Sequence, residues 1–293
     1  MVGLVGVLVM GGLVAASLFA GDPRDAPAPV APTPVAPASL EGGEIPGVCE
    51  ASAIVHWEGG FLLGDNETED RLPVYSTTFG PRAAVMLSTP IEDIEAVAVT
   101  SGGQLLVVGS QGANKNGKPR PAREWILQNG SPPVRPDLTA CAACIEARSL
   151  PPKEGGLSVE GAAWWQGAWW LGVRSPTPGG ATLLLPMEGD PTTGLRAGPP
   201  VALDLGGLGV RDLLVHDGAL LVLAGPVDGR ATPHLVYRLT SPTAAPERLP
   251  IELPPGSEGM VVDGGSLVVV IDGDGEPGRP CKVPARWVRV PMP

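Results

Sequence analysis

Hydrophobic positions come in short runs of five to eight residues, broken by glycine and by polar clusters. One arrangement of these runs recurs five times. "EASAIVHWEGGFLLGDNE" starts at Glu50, "EAVAVTSGGQLLVVGSQG" at Glu95, "EGAAWWQGAWWLGVRSP" at Glu160, "RDLLVHDGALLVLAGPV" at Arg211 and "EGMVVDGGSLVVVIDGDGE" at Glu258. Each copy opens on a polar and a small residue and runs apolar. It then turns at glycine (Gly59-Gly60, Gly102-Gly103, Gly167, Gly218, Gly264-Gly265), runs apolar again and ends at Gly or at a polar cluster. That pattern predicts a β-hairpin with turn chemistry at its tip. The starts are 45, 65, 51 and 47 residues apart, the spacing of propeller blades.

A blade has four strands, so each hairpin needs two more. "LPVYSTTF" and "AAVMLS", "EWILQ" and a weaker partner within 134–150, "ATLLLPM" and "PVALDL", and "HLVYRLT" and "RLPIEL" supply them. The fifth hairpin is followed only by "RWVRVPM", while "GGEIPGV" (42–48) is left over at the other end. Pairing that strand into the last blade closes the ring and removes two exposed edges. The prediction is an all-β, five-bladed β-propeller over residues 42–293, closed by an N-terminal strand. A sixth blade is the alternative if the 65-residue interval hides a degenerate one.

Residues 159–176, "VEGAAWWQGAWWLGVRSP", hold four tryptophans. A two-residue turn at Gln166-Gly167 sets Trp164 opposite Trp169 and Ala163 opposite Trp170, and opposed residues share a face. Large against small suits packing between blades, so core packing is favoured over a sugar-stacking platform.

Ahead of the repeats, the first twenty residues carry no charged side chain. As a helix they would rise roughly 28 Å, close to a hydrocarbon core of ~30 Å. We read 1–21 as a membrane anchor or a signal peptide, the anchor being favoured by the length. Residues 22–41 form a Pro/Ala-rich linker, in polyproline geometry a spacer of roughly 55 Å. The expected location is outside the cytoplasm, in the periplasm or cell envelope, tethered by the N-terminus.

Composition and charge narrow the chemistry. The 31 acidic and 20 basic residues of the 293 give a net charge of −11, which argues against a nucleic-acid partner. Four cysteines in an exported chain suggest disulfides. Cys49 lies beside the closing strand and Cys281 in the last blade, so a bridge between them would lock the ring. Cys141 and Cys144 would then pair within "CAACIEA", a reading favoured over a redox or zinc CxxC because only three histidines are available.

The start of each hairpin's first strand borders one channel mouth, where Glu50, Glu95, Glu160, Asp212 and Glu258 would gather. Asp65 and Asp272 would approach from the second strands. Two carboxylates ~6 Å apart repel by roughly 3 kcal/mol at an effective dielectric of ~20. Such a ring needs Arg174 and Arg211, raised pKa values or a bound cation. An oxygen-only set suits calcium or magnesium, so Glu50, Asp65, Glu95, Glu160, Glu258 and Asp272 are the candidate metal ligands. The competing structural reading has each acid capping backbone amides or pairing within its own blade. "DGDGE" (272–276) resembles part of a calcium loop without its full spacing. "NKNGKPRPAR" (114–123) places Lys115, Lys118, Arg120 and Arg123 in one loop, a solvated loop or an anion site. His56 and His216 fall at hairpin tips.

The segments quoted above, with "GSQGANKNGKPRPARE", "LDLGGLGVRDLLVHDGALLVLAGP" and "SEGMVV", resemble over 48 to about 290 an uncharacterised bacterial family, a domain of unknown function. That family is similar to the propellers grouped as having esterase-like activity of phytase. The resemblance implies a propeller and leaves chemistry open; its members often carry His at the position of Gln111. Two functions follow as expectations. The first is a monomeric binding module for a ligand or protein partner, with an acidic channel mouth. The second is a divalent-metal-dependent phosphoester or ester hydrolase at the same mouth.

Overall fold

The computed structural model describes residues 41–274 and 280–293. The expected anchor and linker lie outside the described residues, as do the last two positions of "DGDGE". Among the described residues, no helix is long and apolar enough to cross a membrane.

The described chain is an all-β, five-bladed propeller. Strand β1 (Glu41–Glu44) comes first in the chain and last in the ring. Blade 1 holds β2 (Ala51–Trp57), β3 (Gly60–Asp65), β4 (Arg71–Leu72), β5 (Val74–Tyr75) and β6 (Val85–Met86). Blade 2 holds β7 (Ile94–Val99), β8 (Leu105–Gly109) and β9 (Ile126–Gln128). Blade 3 runs from β10 (Ser158–Trp165) through β11 (Ala168–Ser175) and β12 (Thr182–Asp190) to β13 (Gly194–Ala197), with β14 (Val201–Leu203) also on β12. Blade 4 is β15 (Gly209–His216), β16 (Ala219–Gly225), β17 (His234–Leu239) and β18 (Glu247–Leu253). Blade 5 is β19 (Ser257–Asp263), β20 (Ser266–Ile271) and β21 (Arg286–Pro291), and β1 is its fourth strand, Glu41 opposite Arg289 and Glu44 opposite Arg286.

The tips explain the hairpins. Glu58-Gly59, Gln166-Gly167, Asp217-Gly218 and Gly264-Gly265 all have positive φ at both positions, between 46° and 80°. That is the two-residue turn whose twist matches paired strands. In blade 1 the turn is Glu58-Gly59 rather than Gly59-Gly60; Gly60 already pairs with Trp57.

Five apolar clusters hold the ring, one between each pair of neighbouring blades. Leu62 and Val107 meet in the cluster between blades 1 and 2, Leu106 and Leu171 between 2 and 3, and Trp165 and Leu220 between 3 and 4. Leu223 and Val269 meet between blades 4 and 5, and Phe61 and Val268 between 5 and 1. The clusters are continuous because each inner sheet is apolar on both faces. The long interval holds no sixth blade. In place of the expected partner strand, 134–150 holds two isolated bridges, Val134 to Ile126 and Asp137 to Arg196, and a short helix, α1 (Ala142–Ala147). Cys141 pairs with Cys144 at that helix, both buried in the cluster between blades 2 and 3. Cys49 pairs with Cys281 across 232 residues.

The tryptophans divide as their register dictates. Trp164 faces Trp169 and Ala163 faces Trp170. Trp165, Trp169 and Trp170 are buried, whereas Trp164 is 38% exposed.

Candidate functional site

The first strand of every blade carries a β-bulge at the same place. The pairing skips Ser52 in β2, Glu95 in β7, Glu160 in β10, Arg211 in β15 and Glu258 in β19. A bulge re-aims the extra residue out of the alternating pattern. All five of these side chains line one cavity of about 100 Å³, with Ala51, Asn66, Arg174 and Asp272 completing the wall. Each bulged residue stands six positions before its hairpin tip: Ser52 to Glu58, Glu95 to Ser101, Glu160 to Gln166, Arg211 to Asp217, Glu258 to Gly264.

Four of the predicted carboxylates, Glu95, Glu160, Glu258 and Asp272, therefore come together. Glu50 and Asp65 are not in the lining. Glu50 gives its carbonyl to the Asn66 N–H at 3.1 Å. Asp65 is buried at the end of β3 and closes its own turn, accepting from Glu67 N at 3.1 Å and Thr68 Oγ1 at 3.0 Å. Asp212, also expected at the rim, is a latch between blades. Its oxygens accept from Leu213 N at 2.8 Å and from Met260 N of blade 5 at 2.7 Å. The rim residues of blades 1 and 4 are thus Ser52 and Arg211.

Arg211 organises one side of the cavity. Its Nη1 donates to Glu160 Oε2 at 2.9 Å and meets both Glu258 oxygens, at 2.8 and 2.7 Å. One nitrogen with two protons faces three acceptors, so the carboxylates compete. Glu160 wins, because Arg174 Nη1 and Ser158 Oγ also donate to it, each at 2.8 Å. Burial opposes its ionisation, but Arg211 and then Arg174 outweigh burial and hold the carboxyl below its ordinary value. Burial pushes Glu258 up to about 8; Arg211 opposes this and the Glu160 charge adds to it. The pair titrates as a unit, Glu160 being held the more acidic of the two and Glu258 the less.

Among the described residues, the other side has no such cation. Glu95 accepts one long hydrogen bond, from Asn66 Nδ2 at 3.3 Å, and Asn66 Oδ1 is buried without a partner. Glu95 sits deep in the domain yet keeps part of its surface on the cavity. Burial, then the charges of Asp93, Glu160 and Glu258, raise its carboxyl well above the ordinary range. Asp272 is pushed to about 7 by burial and then by Glu50, although its own surface is open to the mouth. His234, buried near Arg211, is lowered to about 4 by burial and then by that guanidinium.

A pH dependence follows. The Glu258 carboxyl lies above its ordinary value of 4.5 when folded, so the folded state binds the extra proton between pH 4.5 and about 8. Stability from this group is complete below 4.5 and is lost as pH rises through about 8. Thermal unfolding from pH 5 to pH 9 should show Tm falling by roughly 5–10 °C. The fall should be smaller in Glu258→Gln, which cannot ionise, with the raised Glu95 and Asp272 carboxyls supplying the remainder.

The basic loop is half neutralised. Arg120 Nε donates to Glu92 at 2.9 Å, Arg123 Nη1 pairs with Asp93 at 2.9 Å, and Lys115 and Lys118 are exposed. Gln111 is fully buried at φ +62°, its Nε2 donating to Gly109 O at 3.0 Å, which anchors the loop rather than the cavity. Among the described residues, no group of three or more His, Cys, Asp or Glu is arranged to hold a metal ion by protein ligands alone.

The ring of five blades with a charged axial cavity defines a β-propeller of mixed-charge mouth. A family described as a protein of unknown function (DUF3616) matches residues 140–251, the span that supplies Glu160, Arg174 and Arg211. No curated protein is similar in sequence. Among solved structures, the chain is similar to an exo-β-1,3-galactanase from Phanerochaete chrysosporium at 8% identity and TM-score 0.48, covering 84% of this chain and 60% of that one. It is similar to a protein named as a putative glucose dehydrogenase from Thermus thermophilus at 15% identity and TM-score 0.45, covering 86% and 99%. It is also similar to hydrazine synthase from Kuenenia stuttgartiensis at 10% identity and TM-score 0.40, covering 83% and 62%. The chain thus spans about 60% of the galactanase.

Proposed function

We propose that this protein is an exported binding module whose ligand presents a cationic, hydrogen-bond-donating group to Glu95 in the axial cavity. One observation carries the reading: Glu95 and Asn66 Oδ1 offer acceptors to the cavity, while both guanidinium groups are engaged on its other side. A cation entering there would find a carboxylate ready to ionise against it, and would favour that ionisation in turn. About 100 Å³ suits an ammonium group, or calcium or magnesium still carrying water. Two disulfides support an oxidising compartment, and residues 1–21 would supply the export signal or tether.

The test is a thermal shift of the whole chain with calcium, magnesium and methylammonium in separate arms. A ligand at 100 times its Kd adds about 2.7 kcal/mol of stability. Tm should rise in at least one arm and stay unchanged in Glu95→Gln. No rise in any arm, or a rise that survives Glu95→Gln, would refute the reading.

The phosphoester or ester hydrolase reading draws support from one feature, the neighbouring Glu160 and Glu258, the first held more acidic than the second. A carboxyl pair whose pKa values are pushed apart is the pattern of acid–base catalysis. Turnover of p-nitrophenyl phosphate or acetate that disappears in Glu160→Gln would favour it.

A further inference from the structure

The ring axis has a second cavity at the hairpin-tip end. It has a volume of about 280 Å³ and shares no lining residue with the charged one. Between the two, the inner strands close on each other. A Cβ on Gly259 would lie 2.9 Å from Ala53 Cα and Ile54 N, and one on Gly161 would lie 2.8 Å from Leu213 Cγ. Neighbouring inner strands therefore lie backbone against backbone between the two cavities, which remain separate in their lining.

The tip-side cavity differs in chemistry. All five inner strands contribute to it, through residues such as Val55, Val97, Leu214 and Met260, and no Asp, Glu, Lys or Arg lines it. Its polar groups are neutral hydroxyls, Thr100 and Ser101, with His56 held on Val262 O at 2.7 Å. Trp164 stands in its wall, its ring braced edge-on against Trp169 at 5.2 Å. It is the one tryptophan of its hairpin that packing between blades does not bury.

We propose that this cavity is a binding site for a small neutral apolar molecule, of up to three rings, lying against Trp164. The volume is near the lower edge of ligand pockets, ~300–1,000 Å³. An ionised ligand would lose its water with no countercharge in the wall. Anions face a further obstacle, since Glu58 and Asp217 are exposed at the neighbouring tips.

The probe is N-phenyl-1-naphthylamine, a neutral two-part aromatic whose emission rises in apolar surroundings. On the whole chain it should bind saturably at one site. Affinity should fall about tenfold or more in Val215→Lys and in Thr100→Trp. Both positions line the cavity while remaining partly exposed, and an unchanged Tm would confirm intact folding. The anionic analogue 8-anilino-1-naphthalenesulfonate should bind about tenfold more weakly. Glu95→Gln, in the other cavity, should leave probe binding unchanged. Absence of saturable binding, indifference to both substitutions, or equal affinity for the anion would each overturn the proposal.

Discussion

Replacing Cys49 and Cys281 together by serine should lower Tm by more than about 10 °C while leaving the propeller able to form. The bridge spans 232 residues, and loop-closure entropy assigns such a span about 5 kcal/mol. For a domain of this size each kcal/mol moves Tm by roughly 2–4 °C. The native side supplies a reason to expect the full effect. Val48 O accepts from Ala285 N at 3.0 Å and Cys49 O from Gly273 N at 3.0 Å, so the bridge joins segments already in register. Differential scanning calorimetry of the double variant, beside the wild type with and without reductant, measures it. A drop of under about 3 °C would mean that strand pairing and the Phe79–Trp287 stack, with ring centroids 4.8 Å apart, close the ring without covalent help.

Arg211→Met should be destabilising by about 3–5 kcal/mol at pH 8, because it strands Glu160 and Glu258 together without their shared cation. The penalty should shrink at pH 5. With the guanidinium gone both carboxyls move up, the folded state holds extra protons, and stability rises as pH falls. The triple variant Arg211→Met, Glu160→Gln, Glu258→Gln should recover most of the loss, since neutral groups carry no desolvated charge. Chemical denaturation at the two pH values measures both variants beside the wild type. A single variant as stable as wild type at pH 8 would show that water in the cavity already solvates the pair.

The repeat made the ring legible. Turn glycines and apolar runs gave five hairpins, and the surplus strand at one end with the deficit at the other gave β1 on β21. The cavity was legible at blades 2, 3 and 5, where the polar residue opening the motif is the bulged one. At blade 1 the motif start slipped to Glu50, and at blade 4 the search for a carboxylate passed over Arg211 to Asp212. Counting six back from the tip turn selects Ser52 and Arg211 instead, because the tip fixes register and the strand start does not. The segment 134–150 misled for a different reason. Its apolar residues Cys141, Cys144 and Ala147 cover the cluster between blades 2 and 3 from a helix, and short apolar runs carry no period that separates helix from strand. Which partner Arg211 favours was beyond reach, since it depends on three donors converging on Glu160 from separate segments.

During synthesis Glu41–Glu44 leave the ribosome before the rest of the ring, and their partner, which begins at Arg286, emerges about 240 residues later. Until then the nascent domain is an open arc with two bare sheet edges, the form most prone to pair with a neighbour. Ribosome-bound chains halted before Arg286 are therefore the stage at which chaperones, or crossed pairing between two copies, would act on this protein.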